Sequence, residues 1–381
     1  MLSNHDLHEL TDFRRALHRA PEISGEEEKT AATIVSALQM LKPNEIITGL
    51  GGHGVAAVFD SGVEGETVLF RAELDALPIH ETTSLDWTSE VEGKGHLCGH
   101  DGHMTMLLGL GRLLARKPVS KGRVVLMFQP AEEDGSGARL VAQEKRYQNL
   151  NPDWAFAIHN EPGLPFGVVA TRTGLMNCAS RGMKITLTGK TAHAAEPELA
   201  HSPLRAMNEI TQFVQTMAEG NERDDDFKLV TVTHMNMGEP TFGITPGLGV
   251  VYLTLRTADD AILAELVEMI EGKLRLLCDE DMLGFEIEFH DDFAASINHA
   301  DAVAVAREAM DTIGVQHSEE HLPMRASEDF GVFGHSAKAA MLCLGPGPES
   351  PALHHPDYDF NDDLIPIGAH IFERIARDLL G

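Results

Sequence analysis

Basic residues are scarce in this sequence of 381 residues: 30 Lys and Arg stand against 59 Asp and Glu, which gives a formal net charge of −29 at pH 7. A surface with that excess of negative charge repels nucleic-acid phosphates and anionic lipid headgroups. No apolar run approaches the ~18 residues of a membrane span, and the first residues lack the basic and apolar segments of a signal peptide. We therefore expect a cytoplasmic protein without nucleic-acid or membrane partners.

Cysteine is also rare, with four residues in the whole chain. They are scattered along the sequence, which is not the pattern of a disulfide framework. We expect free thiols, one of them a metal ligand; the four residues are Cys98, Cys178, Cys278 and Cys343.

Two common motifs are missing, and a third is present without the structural context that it needs. Neither G-x-S-x-G nor H-E-x-x-H occurs, which excludes the commonest signatures of serine hydrolases and single-zinc proteases. The stretch GLGGHG at 49–54 matches G-x-G-x-x-G, but it is followed by the strand-like run GVAAVFD, where a dinucleotide site needs a helix. We therefore do not expect a dinucleotide cofactor.

The length predicts two domains, on a prior of roughly 150 residues per domain. Strand-like and helix-like runs alternate in the first part of the chain, which is typical of a sheet with helices on both faces. The strand-like runs are 54–59, 67–71, 123–128 and 154–158, and helix-like runs lie at 103–116 and 136–144.

The pattern changes in the middle of the chain, where strand-like runs lie at 183–188, 229–233 and 250–255 and helix-like runs lie near 203–217 and 261–277. After this middle segment, the chain returns to the alternation of helix-like and strand-like runs seen in its first part. We predict a catalytic α/β domain interrupted by an inserted α+β domain. The predicted bounds are 1–176 and 293–381 for the two parts of the catalytic domain and 177–292 for the insert.

Metal-ligand residue types cluster where predicted strands end. Glu132 and Glu133 follow one strand, His159 ends another, and Cys98 and His100 stand before a helix. Because ligands bind at the carboxyl ends of strands in an open α/β sheet, we expect these groups to converge. Together with a histidine of the pair 354–355 they supply five donors, which suits two ions better than one tetrahedral zinc.

The adjacent glutamates suggest two roles. Successive side chains in an extended stretch face apart, so Glu132 and Glu133 are not expected to hold the same ion from the same direction. One would hold a cation, and the other would act as general base and then general acid toward a metal-activated water.

Eight motifs resemble a known family in order and in register. They are FRRALHRAPEISGEE, RAELDALP, HLCGHDGHM, FQPAEE, AIHNEP, GKTAHAAEP, SEDF and LHHPDYDFND, between residues 13 and 362. The family is that of the co-catalytic metallohydrolases, which include hippurate hydrolase, bacterial aminoacylases, N-acetyldiaminopimelate deacetylase and auxin-amino-acid conjugate hydrolases. The resemblance implies an aminopeptidase-like α/β/α catalytic domain with a ferredoxin-like α+β dimerisation domain, and hence a homodimer.

The resemblance also implies roles for single residues. Glu132 matches the catalytic base, Asp75 the carboxylate that orients the metal cluster, and His193 the histidine that reaches a partner subunit's active site and steadies the oxyanion. The matched metal ligands are Cys98, His100, Glu133, His159 and His354.

Some assignments keep an alternative. His355 competes with His354 as the C-terminal ligand, and His103, one helical turn after His100, either supports the site or is an ordinary helix residue.

Two positions depart from the family. Gly243 stands where relatives commonly have an Asn that holds the substrate carboxylate, so Arg256 takes that role or the substrate lacks the group. Glu73 stands where relatives often have Asp.

The predicted function is hydrolysis of N-acyl amino acids or related small amides by a dinuclear metal enzyme with a glutamate base. A thiolate ligand favours zinc, while carboxylates and water also admit manganese, cobalt or nickel. The alternatives are a dipeptidase or exopeptidase on the same site and a metal-dependent binding protein without catalysis.

Overall fold

The computed structural model describes all 381 residues, which form two compact units. The first comprises 1–176, 296–322 and 328–381, and the second comprises 177–295 and 323–327. None of the helices combines the length and the apolar composition that a membrane span requires.

The α-helices are α1 (Asn4–Arg19), α2 (Glu28–Leu41), α3 (His100–Arg116), α4 (Gly137–Gln143), α5 (Lys145–Gln148), α6 (Leu204–Gln215), α7 (Asp260–Asp281), α8 (Ala300–Ile313) and α9 (Leu364–Leu380). Two 3-10 helices span Pro197–Leu199 and Asp329–His335. The strands are β1 (Glu45–Leu50), β2 (Gly54–Asp60), β3 (Thr67–Glu73), β4 (Arg123–Gln129), β5 (Trp154–Asn160), β6 (Val169–Ala170), β7 (Gly174–Asn177), β8 (Ala179–Thr188), β9 (Ala192–His193), β10 (Lys228–Met237), β11 (Ile244–Thr245), β12 (Leu248–Thr257), β13 (Gly284–Phe293), β14 (Ser296–Asn298), β15 (His317–Ser318) and β16 (Lys338–Leu344).

An eight-stranded mixed sheet in the order β1-β2-β4-β3-β5-β16-β6-β15 forms the centre of the first unit. The strands β4, β3, β5 and β16 are parallel, so their carboxyl ends lie at one edge of the sheet. They are buried almost throughout, which explains why each reads as a continuous apolar run and not as an alternation.

Alternate residues of β3 point to opposite faces of this sheet. Phe70 packs against Phe372 of α9 in the apolar core that also includes α1, α2, α3 and α8. Arg71 points to the other face, where it meets Asp329 of the second 3-10 helix. One face of the sheet therefore packs hydrophobically, and the other carries buried charge beside the strand ends.

The second unit is a four-stranded antiparallel sheet in the order β10-β12-β8-β13 with α6 and α7. In β12, Val251, Leu253 and Leu255 are buried while Tyr252 between them is exposed, as expected for a sheet with helices on one face only. The prediction of an α/β fold carrying a smaller α+β unit is confirmed.

Candidate metal centre

Cys98 and His100 approach each other through a turn at Gly99. Gly99 has φ +87°, and a Cβ at this position would lie 1.9 Å from Oδ1 of Asn160, so only glycine fits. The turn ends at His100, the first residue of α3, and both Cys98 and His100 are buried.

Glu132 and Glu133 follow β4 in a tight turn, not in an extended stretch. Ala131 has φ +49°, and the N–H of Gly135 donates to the carbonyl oxygen of Glu132 at 2.8 Å. As a result, Oε2 of Glu132 lies 3.9 Å and Oε1 of Glu133 3.8 Å from Nε2 of His100. The expectation that the two side chains face apart is wrong, because the turn brings both carboxylates to the same imidazole.

His159 and His354 complete the group from two other segments. Nε2 of His159, near the end of β5, lies 3.4 Å from Sγ of Cys98. Nε2 of His354 lies 3.5 Å from Oε2 of Glu133, and its backbone N–H donates to the carbonyl of Leu97 at 2.8 Å. The structure thus brings together all five residues that the sequence suggested as ligands.

The donor atoms form three overlapping groups, within each of which the atoms lie within 4.8 Å of one another. The groups are Cys98 with His100 and His159, Cys98 with Glu133 and His354, and His100 with Glu132 and Glu133. Overlap of this kind provides more donors than a single tetrahedral ion uses.

Two of the donor atoms have no hydrogen-bond partner although they are buried, namely Nε2 of His100 and Oε1 of Glu133. Buried polar atoms are normally paired, so orphaned atoms facing each other need a further explanation. Nitrogen, sulfur and carboxylate oxygen are the donors that zinc and neighbouring divalent metals take. The residues therefore fit divalent cations.

Asp75 contacts two of the segments that carry donor atoms. Nδ1 of His100 donates to the carbonyl oxygen of Asp75 at 2.9 Å, which leaves Nε2 of the same ring to face the other donors. The Asp75 carboxylate accepts from the hydroxyl of Ser24 at 2.7 Å and from the N–H of Glu133 at 3.0 Å. One buried carboxylate thereby ties the His100 and Glu133 segments together.

His103 is part of a buried hydrogen-bond chain. Its Nδ1 donates to Oε2 of Glu73 at 2.7 Å, and its Nε2 accepts from the backbone N–H of Asn160 at 3.0 Å. The Asn160 side chain in turn accepts from Tyr358 at 2.8 Å and donates to the carbonyl of Cys98 at 3.3 Å. This chain links three segments that carry donors.

A charged group that was not predicted from the sequence lies beside Glu132. Arg71 is fully buried and bonds Glu328 at 2.9 Å and Asp329 at 2.7 Å. Carboxylate oxygens of Glu132, Glu328 and Asp329 lie within 4.8 Å of one another. The sequence does contain one indication of this group, a single arginine inside the strand-like run TVLFRAE. A buried arginine requires acidic partners.

The charge around Glu132 changes its acidity. Burial raises the pKa of Glu132 well above its ordinary value, and the carboxylates of Glu328, Glu133 and Asp329 add to this, against the opposing charge of Arg71. Before cations bind, these surroundings favour the protonated form of the Glu132 carboxyl group.

The candidate ligands also have shifted pKa values. Burial opposes a charged His100, but its hydrogen bond to Asp75 and the charges of Glu73 and Glu133 outweigh this and raise the pKa of His100 to about 10. Burial raises the pKa of Glu133 to about 7 and that of the Cys98 thiol well above its usual range. Cations entering this cluster must therefore displace protons.

His193 and Arg256 belong to the second unit. His193 is exposed on β9, opposite Ile244 of β11. Arg256 is half-buried and donates to the carbonyl of Arg325 and, at 2.8 Å, to the hydroxyl of Ser327. Around Gly243 the space that a side chain would take is open.

Thiolate, imidazole and carboxylate donors beside a spare buried carboxylate are typical of metal-dependent hydrolases. Comparison with known proteins specifies the class: residues 69–378 match Peptidase family M20/M25/M40, and the chain belongs to this family. It is a hydrolase of carbon–nitrogen bonds, of the amide and N-acyl amino acid type. The predicted family is thereby confirmed.

Two curated relatives match over nearly their whole length. Hippurate hydrolase of Campylobacter jejuni is 30% identical over 381 residues, covering 98% of this chain and 97% of that protein. N-acetyldiaminopimelate deacetylase of Listeria monocytogenes is 30% identical over 373 residues, covering 96% and 98%.

Solved structures share the fold. A protein of methicillin resistant Staphylococcus aureus has a TM-score of 0.88 at 26% identity, covering 99% of this chain and 97% of that chain. The Bacillus subtilis YXEP protein, described as a dinuclear metal binding peptidase, has a TM-score of 0.84 at 24% identity and covers 100% and 99%.

Proposed function

We propose that this protein hydrolyses the amide bond of N-acyl amino acids, with two divalent cations and Glu132 as general base. The observation that carries the proposal is the pair of carboxylates at Nε2 of His100, at 3.9 Å for Glu132 and 3.8 Å for Glu133. One carboxylate is sufficient to bridge or hold cations there, which leaves the other for proton transfer.

The five residues Cys98, His100, Glu133, His159 and His354 would hold the cations. Cations bound there would supply Lewis acidity, polarising an amide carbonyl and making a nearby water molecule more acidic. Zinc or manganese suits the mixed donors, and cobalt or nickel also fit. The description of the Bacillus subtilis protein as dinuclear supports two ions.

Glu132 would move the proton. With cations in place its carboxylate takes a proton from water, and it then delivers that proton to the leaving nitrogen. Its surroundings suit both steps, because burial and the carboxylates of Glu328 and Asp329 favour the protonated form whereas Arg71 favours the ionised form. A base that is also an acid needs a pKa between these extremes.

The substrate class rests on the named relatives and on the second unit. The curated relatives act, by name, on hippurate, acetylated diaminopimelate and auxin conjugates of amino acids, which share an acylated nitrogen. We assign the substrate carboxylate to Arg256, since Gly243 has no side chain to hold it. The guanidinium of Arg256 has hydrogen bonds from Nη1 to Arg325 and Ser327, so its remaining N–H groups can serve an anion.

We also propose a homodimer through the second unit, in which His193 serves the active site of the partner subunit. The sheet of this unit ends at β10 and β13, and each of these pairs with one neighbouring strand only. Apolar side chains are exposed around β11, including Phe242, Ile244 and Leu248. Unpaired strand edges and exposed apolar side chains are features that a subunit interface covers.

The decisive experiment is a hydrolysis assay on metal-stripped protein with manganese, zinc or cobalt restored. The panel contains N-acetyl, N-benzoyl and indoleacetyl amino acids, free dipeptides and simple amides. Cleavage of an acylated series is expected. Cleavage of free dipeptides but not of their N-acylated forms would establish the dipeptidase alternative, and two bound metals without any turnover would establish the binding protein.

A further inference from the structure

The segment 22–27, in the loop before α2, lies against the turns that carry the metal site. Ile23 forms a parallel bridge with Ala76, and the N–H of Ala76 donates to the carbonyl of Glu22 at 2.8 Å. Ser24 holds the carboxylate of Asp75. The segment therefore supports the turn after β3 directly.

Glu27 supports a different turn. It occupies the N-cap position of α2, but its side chain does not cap that helix. Oε1 instead accepts the N–H of Gly25 at 2.9 Å and the N–H of Ala131 at 2.8 Å. The residue is fully buried, and its second oxygen, Oε2, has no partner. Burying a carboxylate costs free energy unless hydrogen bonds compensate for the lost water. The hydrogen bonds to Gly25 and Ala131 provide that compensation for Glu27.

Ala131 is the residue before Glu132 and has φ +49°, a left-handed conformation that is unfavourable for any residue with a Cβ. A contact that holds its N–H is therefore needed to keep the backbone in this state. Its carbonyl accepts from the N–H of Gly137 at 2.9 Å, so the peptide groups on both sides of the Ala131 Cα are held by hydrogen bonds. If residue 131 relaxed to negative φ, the direction of the chain entering Glu132 would change.

We propose that Glu27 is a positioning residue: by holding the N–H of Ala131 it keeps the left-handed turn that aims Glu132 at the cluster. The inference rests on the proposed role of Glu132 as base. Glu27 itself acts through the backbone. For this role Glu27 needs an acceptor oxygen more than it needs a negative charge, because both of its hydrogen-bond donors are neutral backbone N–H groups.

The test compares three variants of the full-length protein loaded with zinc or manganese. Glu27→Gln keeps an acceptor oxygen, and we expect kcat within about threefold of the native value. Glu27→Leu removes the acceptor at similar volume, and we expect kcat to fall by at least about tenfold, with KM and bound metal unchanged. Ala131→Gly alone should change kcat by less than about twofold, because glycine adopts positive φ freely.

The rescue experiment separates positioning from general loss of stability. Adding Ala131→Gly to Glu27→Leu should recover at least about threefold in kcat, since the left-handed turn no longer needs to be held against a Cβ. In the metal-free protein, deuterium uptake in a peptide covering 129–137 should rise for Glu27→Leu and not for Glu27→Gln. If Glu27→Leu gives no folded protein, Glu27→Ala carries the same comparison.

Three results would overturn the inference: native kcat in Glu27→Leu, loss of metal in parallel with kcat, or no recovery from Ala131→Gly. Failure of the proposed function looks different. Turnover retained in Glu132→Gln would remove the base assignment whatever the Glu27 variants do, whereas an inactive Glu132→Gln beside an active Glu27→Leu would refute the role of Glu27 alone.

Discussion

Nε2 of His354 lies 3.5 Å from Oε2 of Glu133, whereas the neighbouring His355 turns its ring to the carboxylate of Asp357. His354 has φ +65°, so the two adjacent histidines leave the backbone in different directions. Of the two, His354 is the one grouped with Cys98 and Glu133.

This relationship predicts different effects for matched substitutions. His354→Asn should weaken binding of at least one cation by at least about a hundredfold and abolish turnover, because the proposed ligand is lost. His355→Asn should keep native cation binding and native turnover, because His355 contacts the exposed residue Asp357 and not the donor cluster. Metal content measured after dialysis against limiting zinc checks this, and equal metal loss in both variants would contradict the assignment.

The two adjacent glutamates predict a second contrast. Glu132→Gln should lower kcat by about 10²–10⁴-fold while bound metal stays at the native amount, because a proton carrier is removed and the ligands are not. Glu133→Gln should lose metal as well as activity. Metal analysis and kinetics on the same samples distinguish them; parallel metal loss in Glu132→Gln would make Glu132 a ligand.

Much of this site could be predicted because its residues follow parallel strands. Apolar runs in the sequence indicated β4 and β5, and the polar residues at their ends had to meet at one edge of the sheet. The turn at Glu132 could not be predicted, because nothing in the sequence indicates a left-handed Ala131. Its cause is a contact with Glu27, 104 residues earlier in the chain.

The buried charges show the same limit. Arg71 and Glu328 are separated by 257 residues, and neither residue type is expected in a core unless its partner is known. The strand-like context of Arg71 indicates that an acidic partner must exist, but it does not indicate which acidic residue is that partner. Local patterns thus predict elements and their ends, while long-range ion pairs need the tertiary structure.

The proposed role of His193 predicts complementation between inactive variants. His193→Ala and Glu132→Gln should each be inactive as homodimers. In a mixed dimer, one active site combines an intact Glu132 with an intact His193 of the partner subunit, so random mixing should restore about a quarter of the native activity. Activity measured after unfolding and refolding the two variants together checks this. If sedimentation shows that dimers form but activity does not recover, His193 does not serve the active site of the partner subunit.

Gly243 predicts a gain of affinity. No atom lies within 4 Å of the Cβ that a substitution at this position would add, so Gly243→Asn meets no neighbour there. If the substrate carries an amino-acid carboxylate, the added amide should lower KM by about tenfold, the value of one hydrogen bond to a charged group. Gly243→Ala is the control and should leave KM unchanged. An unchanged KM in Gly243→Asn would show that this position does not contact the carboxylate.

A buried charged network behind the first turn of α3 predicts a pH-dependent stability. Nδ1 of His18 lies 2.8 Å from Oδ2 of Asp101, and its Nε2 lies 3.3 Å from Oε1 of Glu81. Burial alone would lower the pKa of His18, but the charge and hydrogen bond of Asp101 and the bond to Glu81 outweigh it and raise that pKa to about 9. The imidazolium is therefore stabilised by folding.

Because the pKa of His18 is higher in the folded than in the unfolded chain, its contribution is complete below pH ~6.5 and disappears as the pH rises through about 9. The loss should amount to about 2–3 kcal/mol of the free energy of unfolding. In His18→Gln this part of the pH dependence should be absent, while the shifts of other groups remain common to both proteins. Urea unfolding of the metal-free native protein and of the variant at pH 6 and pH 9.5 measures how much the free energy of unfolding of each protein changes between these pH values. Parallel pH profiles for the two proteins would show that His18 is neutral in the folded state, and that Asp101 draws its stabilisation from Arg14, 3.4 Å away, instead.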